Sequence, residues 1–230
     1  MAGKTCIITG AGRGIGKAAA VELDRLGWRL ALISRSADEL RAVAAGLQDA
    51  IAIPADISKS AEVDRAVKAA IAHFGQIDAT VNCAGVAPLA PIEQTTDEQY
   101  RQTIDTNLGH TFYMTRALWG HFKERKAGVI VNVSSMTSRD PFNGFSIYGA
   151  AKAAINIFSL VAAHEGAPHG IRVHVVAPGA VETAMLRAVF SAKVLPEAMA
   201  LPPEAIGKVI AQVVAGDLAY TSGEVIYVHK

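Results

Sequence analysis

Short apolar runs alternate with longer stretches of helical periodicity almost to the C-terminus. Residues 4–9, 29–34, 50–54, 79–82, 129–134 and 172–176 are rich in Ile and Val, and a last such run covers 224–228 after Thr221-Ser222-Gly223. Their largely apolar character, with little polar alternation, predicts strands of a parallel sheet buried on both faces. Between them lie helical segments. Residues 14–26 set Ile15, Ala19, Leu23 and Leu26 on one face, 97–126 reads as one long helix, and 146–165 is Ala-rich. Alternating β and α elements with crossover-length helices imply right-handed βαβ units. The expected fold is α/β: one doubly wound domain over residues 1–230, with a mostly parallel seven-stranded sheet flanked by helices. No linker, repeat or low-complexity tract divides the chain.

Composition narrows the function classes. Of 230 residues, 51% are hydrophobic and only 19% charged, with 22 basic against 21 acidic for a net charge of +1. That balance argues against a nucleic-acid partner, which calls for concentrated Lys and Arg. No apolar run reaches the length of a membrane span, and the N-terminus lacks the pattern of a signal peptide, so a cytoplasmic protein is expected. Cys6 and Cys83 fall inside predicted strands and read as small buried hydrophobes. The seven histidines (His73, His110, His121, His164, His169, His174 and His229) show no metal spacing. His110 lies three residues past Asn107, and a structural role is its default.

The first strand runs into Thr9-Gly10-Ala11-Gly12-Arg13-Gly14-Ile15-Gly16, and a helix follows. Such glycines permit a tight turn and let a pyrophosphate approach the N–H groups of the helix start, as in a Rossmann-type domain. The spacing is T-G-x-x-x-G-x-G rather than G-x-G-x-x-G. An NAD site normally ends its second strand with Asp or Glu for the ribose 2′-OH, whereas this chain has Ser34-Arg35-Ser36. Arg35, with Arg13 closing from the glycine turn and no acid nearby, suits a 2′-phosphate. NADP is the expected cofactor.

Further along come Asn107, then Val131-Asn132-Val133-Ser134-Ser135, then Tyr148-Gly149-Ala150-Ala151-Lys152, with Tyr148 and Lys152 one helical turn apart. In this order behind the glycine turn, these features resemble the short-chain dehydrogenase/reductase family over nearly the whole chain. The resemblance implies that Asn107, Ser135, Tyr148 and Lys152 form the catalytic set. It implies that Gly10, Gly12, Arg13, Gly14, Ile15 and Gly16, with Ser34, Arg35, Asp56 and Ile57, hold the cofactor. Asn82, Ala84 and Gly85 join them in a segment that steadies the central strand beside the cofactor, with Cys83 standing where the family has a second Asn. So do Pro178, Gly179, Val181 and Thr183, and Tyr148 and Lys152 themselves. A phenol titrates near pH 10, so the Lys152 ammonium, helped by the cationic oxidised nicotinamide, would supply roughly 4 kcal/mol of bias in lowering Tyr148 by about three units.

The expected function is NADP(H)-dependent interconversion of a ketone or aldehyde and an alcohol, with Tyr148 as acid/base and a small-molecule substrate. The segment at about 184–202, with Met185, Leu186, Val189, Phe190, Leu195, Met199 and Leu201, reads equally as a lid over an apolar substrate or as ordinary packing. Phe142 and Phe145 could add a wall, and Arg187 could meet an anion. The family pairs subunits through the two long helical stretches, so a homodimer or homotetramer is expected. The rival from another class is a non-catalytic NADP(H)-sensing regulator, which would be expected to lack Tyr148 or Lys152. A nucleotide-sugar epimerase would need a larger substrate domain.

Overall fold

The apolar runs pair side by side into one sheet. A computed structural model describes residues 3–230. Among them the strands are β1 (Thr5–Thr9), β2 (Arg29–Ser34), β3 (Ala50–Pro54), β4 (Ala79–Asn82), β5 (Gly128–Val133), β6 (Ile171–Pro178) and β7 (Val225–Val228). The helices are α1 (Gly14–Arg25), α2 (Ala37–Ala44), α3 (Ser60–Phe74), α4 (Asp97–Thr103), α5 (His110–Arg125), α6 (Ser146–Gly166), α7 (Ala184–Val189) and α8 (Pro203–Ala215). Strand order is β3-β2-β1-β4-β5-β6-β7, and every pairing is parallel. The sheet is thus wholly rather than mostly parallel, because a helix separates each strand from the next and leaves no hairpin.

Strand alternation divides the core into two layers. Cys6, Ile8, Leu30, Leu32, Val129 and Val131 face α1, α2 and α8, while Ile7, Ala31, Ile33 and Ile130 face α3, α5 and α6. The chain moves outward from β1 to β3 and then returns to the other side of β1 with β4. That reversal opens a crevice at the carboxyl ends of β1 and β4, where ligands of such sheets bind. A buried polar chain crosses the central strands: Asn82 Nδ2 donates to Asn132 Oδ1 at 2.8 Å, and Asn132 Nδ2 donates to the Ser159 hydroxyl at 2.8 Å.

Two expectations need correction. The 97–126 stretch is not one regular helix: α4 ends at Thr103, a π-helical turn spans Ile104–Gly109, and α5 begins at His110. The widened turn accommodates the buried Asn107 side chain, whose Nδ2 donates to Thr103 O at 2.8 Å and to Val86 O at 2.9 Å. Secondly, the helical stretch Ser146–His169 is long and apolar enough to cross a membrane by length and composition. Here α6 packs along β6, burying Ile155, Ala162 and Ala163, and presents Ile157, Leu160 and Val161 outward.

Helix α8 crosses α1 with almost no separation. A Cβ on Gly207 would lie 2.8 Å from the carbonyl carbon of Ala18 and 2.9 Å from its oxygen. Gly207→Ala is therefore expected to overpack the interface and destabilise the protein by about 1–3 kcal/mol. The check is the melting temperature, expected to fall by about 2–4 °C per kcal/mol for a chain of this size.

Candidate active site

The site begins where β1 becomes α1. Gly10 has φ +67 and Gly14 φ +55, backbone that glycine adopts freely. A Cβ on Gly10 would lie 2.9 Å from Ala84 Cα, and one on Gly16 would lie 2.3 Å from the Gly10 carbonyl oxygen. The turn therefore lies flush against the end of β4 and the start of α1. No side chain caps α1, so its first N–H groups are open to a ligand. Thr9 Oγ1 ties the turn to β4 by accepting from Cys83 N at 3.0 Å and Ala84 N at 3.2 Å.

One cleft of about 1040 Å³ runs from this turn across the carboxyl ends of the strands. Its wall includes Gly10, Gly12, Arg13, Gly14, Ile15 and Gly16, then Ser34 and Arg35, then Asp56 and Ile57. It continues past Ala84 and Gly85 to Asn107, Ser135, Tyr148 and Lys152, and ends along Pro178, Gly179, Val181 and Thr183. Glycine turn, arginine and acid/base side chains thus share one continuous space. The donor set also fits a nicotinamide dinucleotide, because the uncapped N–H groups at the start of α1 border the cleft beside Gly12 and Gly14, where a pyrophosphate could approach them.

Asn82 departs from this pattern. It is 1% exposed, points away from the cleft and bonds Asn132 instead, since alternation along β4 turns it behind the strand. The expectation of two arginines with no acid nearby also fails. Ser36 caps α2 by accepting from Glu39 N, and the third residue of that first turn, Glu39, reaches back to the glycine turn. Its carboxylate lies 3.9 Å from Arg13 Nη1 and would meet a Cβ on Gly12 at 2.9 Å. Glu39 lines the cleft, as do Ser58, Val86 and Thr106, all missed in the sequence, and so does Cys83, which follows β4 and is partly buried rather than lying inside the strand.

At the far end of the cleft, α6 carries Tyr148 and Lys152 on one face. Lys152 is buried, donates from Nζ to Val133 O at 2.8 Å, and lies 5.6 Å from the centre of the Tyr148 ring. Ser135 Oγ donates to Thr137 Oγ1 at 3.0 Å and accepts from Thr137 N at 3.2 Å, so its orientation is set locally. Burial pushes the Lys152 ammonium down to about 8, opposed by Cys83. Burial also pushes the Tyr148 phenol above its ordinary value, opposed by the Ser135 hydroxyl. Without the bound nicotinamide the phenol is thus held up rather than lowered. Lys152 is itself shifted toward neutrality and points at Val133 O. Burial raises Cys83 to about 12, with Lys152 opposing. At the other end, burial works against the Asp56 carboxylate, but the Ser58 hydroxyl and N–H and the Lys59 ammonium hold it below its usual range.

Phe145 packs against Tyr148 and Phe190 with ring centres 5.4 and 6.1 Å away, and Met185, Leu186, Val189 and Phe142 extend this apolar wall. Arg187 does not face the cleft. It pairs with Glu182 and donates to the carbonyls of Phe190 and Leu195, so the anion-binding role is withdrawn.

The sequence profile of the short chain dehydrogenase family matches residues 4–194. The chain is 32% identical over 240 residues to 3beta-hydroxysteroid dehydrogenase 1 of Eggerthella lenta, covering 98% of this chain and 92% of that one. Its structure is similar to 3-ketoacyl-(acyl-carrier-protein) reductase from Brucella melitensis complexed with NADH. The TM-score there is 0.94 at 32% identity, covering 99% and 97% of the two chains. It is also similar to a 7 alpha-hydroxysteroid dehydrogenase complexed with NADH and 7-oxo glycochenodeoxycholic acid, with a TM-score of 0.95 at 25% identity over 99% and 93%. The chain belongs to the short-chain dehydrogenase family and is an oxidoreductase with a Rossmann-type fold.

Gly85 is the tightest point around Asn107 and Lys152. A Cβ there would lie 2.6 Å from Asn107 Oδ1 and 3.6 Å from Lys152 Nζ. Gly85→Ala is expected to displace Asn107 and lower oxidoreductase turnover by about 10²-fold, the scale of an ångström misplacement. Steady-state rates beside a melting curve separate this from unfolding.

Proposed function

We propose that this protein is an NADP(H)-dependent carbonyl reductase, taking a ketone or aldehyde with an apolar body to the alcohol with Tyr148 as general acid. The observation that carries the reading is the single cleft that joins the glycine turn and Arg35 to Ser135, Tyr148 and Lys152. When bound, the nicotinamide supplies the hydride in one direction and accepts it in the other. Negative charge then grows on the substrate oxygen and calls for a proton and a fixed donor. Tyr148 gives the proton, and the Ser135 hydroxyl, turning its one hydrogen away from Thr137 Oγ1, donates to the same oxygen. Lys152, where it is protonated, would stabilise the phenolate left behind and would help hold the nicotinamide ribose when the cofactor is bound. Asn107 positions the water that returns protons toward Lys152.

The apolar wall of Phe145, Met185, Leu186, Val189 and Phe190 favours a bulky carbonyl compound. Relatives named for hydroxysteroid and ketoacyl chemistry support a ketone or secondary alcohol. The segment at about 184–202 serves as the cover of this pocket. The exposed apolar side chains Phe112, Ile157, Leu160 and Val161 on α5 and α6 support a homodimer or homotetramer.

Tyr148→Phe is expected to lower turnover by about 10²–10⁴-fold, the usual contribution of a general acid. Binding of the reduced dinucleotide, followed by its fluorescence, should be retained. Retained turnover in that variant would sink the mechanism. For the cofactor, kcat/KM should be higher with NADPH than with NADH. Arg35→Ala should shrink the ratio by about 10–100-fold, the value of a charged hydrogen bond. Glu39→Gln should enlarge it, because the carboxylate that now faces Arg13 repels a 2′-phosphate. Equal or better use of NADH by the wild type would exclude the NADP assignment, and two relatives with bound NADH make this measurement the first to perform.

A further inference from the structure

His110 is 1% exposed and heads α5 directly after the π-helical turn that carries Asn107. Its Nδ1 lies 2.7 Å from Thr106 O, and its Nε2 lies 3.3 Å from Thr9 Oγ1. A carbonyl oxygen can only accept, so Nδ1 carries the hydrogen and Nε2 of the neutral ring is a bare acceptor. Thr9 Oγ1 already accepts from the N–H groups of Cys83 and Ala84, which occupies both of its lone pairs. Its single hydrogen is left to donate, toward His110 Nε2 at 3.3 Å and Val81 O at 3.4 Å. Every hydrogen-bonding group in this buried cluster is matched in only one direction of donation.

We infer that His110 is a positioning residue that orients the Thr9 hydroxyl, and through it locks the Cys83–Ala84 end of β4 onto the glycine turn and the Asn107 turn. An apolar residue at 110 would leave the Thr9 hydrogen to the poorer Val81 contact. It would also remove the only side-chain link between the Thr106–Asn107 turn and β1 among the described residues. Burial holds the imidazole down to about 4 and the Lys152 charge adds to this, with the Thr106 carbonyl opposing. The ring therefore stays neutral, with Nε2 free to accept, throughout the neutral range. The inference rests on the dinucleotide-binding reading of the cleft only for its effect on cofactor affinity; its structural half can be read in the ligand-free protein.

The experiment compares His110→Phe and His110→Gln in the wild-type and Thr9→Val backgrounds. Readouts are the affinity for reduced dinucleotide and hydrogen exchange at the Cys83 and Ala84 amides. Loss of one hydrogen bond, about fivefold in affinity, is expected for His110→Phe. Faster exchange at those two amides is expected with it. His110→Gln, which returns an acceptor near the Nε2 position, should recover most of both. In the Thr9→Val background the His110→Phe change should add little further loss. Unchanged affinity and exchange in His110→Phe would overturn the inference, as would full additivity with Thr9→Val or equal losses in Phe and Gln. Should the variants fail to fold, ¹⁵N NMR of the wild-type imidazole decides: a hydrogen on Nδ1 supports the inference and one on Nε2 refutes it. If the wild type binds no dinucleotide, the proposed function fails, while amide exchange and the tautomer still test His110.

Discussion

Where β1 gives way to α1, main chain packs directly against main chain, with Gly16 under the Gly10 carbonyl and Gly10 against Ala84 Cα. This contact spaces everything that follows. It draws the start of α1 to the crevice between β1 and β4, so the open N–H groups of the helix face the place where the strand order reverses. It also brings the end of β4 against the turn, and Gly85, Asn107 and Lys152 are arranged around that end. A methyl group on either glycine would separate these elements by more than the cleft geometry tolerates.

The strands were legible because a sheet covered on both faces uses nearly uninterrupted Ile and Val, and the pairing confirms those runs within one or two residues. The family was legible because its chemistry lies in short motifs at fixed spacings. What escaped depends on contacts between residues distant in sequence or on direction within an element. Nothing in the composition of 97–126 distinguishes a π turn from regular helix. The turn is fixed by the Asn107 amide reaching Val86, twenty-one residues away in the chain. Glu39 was hidden because the cap at Ser36, not proximity in sequence, turns it toward Gly12. Asn82 steadies the central strand through Asn132 but does not line the cleft, because a motif says which residues belong together and not which face of the strand each occupies. The Tyr148 pKa depends on more than the motif shows: without a bound nicotinamide, burial acts on Tyr148 and Lys152 together and weakens the charge that favours the phenolate.

The cleft joins two environments. Its dinucleotide end is polar and largely backbone, with Ser34, Arg35 and Asp56 at its margin. Its substrate end is aromatic and aliphatic, with Arg187 held away from it by Glu182 and two carbonyls. Tyr148 and Ser135 stand at the boundary, where under the proposed function a carbonyl oxygen would meet donors while the rest of the molecule stayed in apolar surroundings. That division explains why few polar side chains are needed at the centre.

The Asn82–Asn132–Ser159 bridge has a consequence for assembly of the sheet. Parallel strands of Val and Ile are nearly interchangeable along their length, and sliding β5 by two residues would keep each side chain on its own layer. Such a slip would forfeit little apolar contact, yet it would leave buried amide and hydroxyl groups facing hydrocarbon. The bridge thus acts as an index mark across β4, β5 and α6, admitting one alignment among several of similar greasiness. With it, the loop after β5 and the helix carrying Tyr148 arrive at the cleft in step.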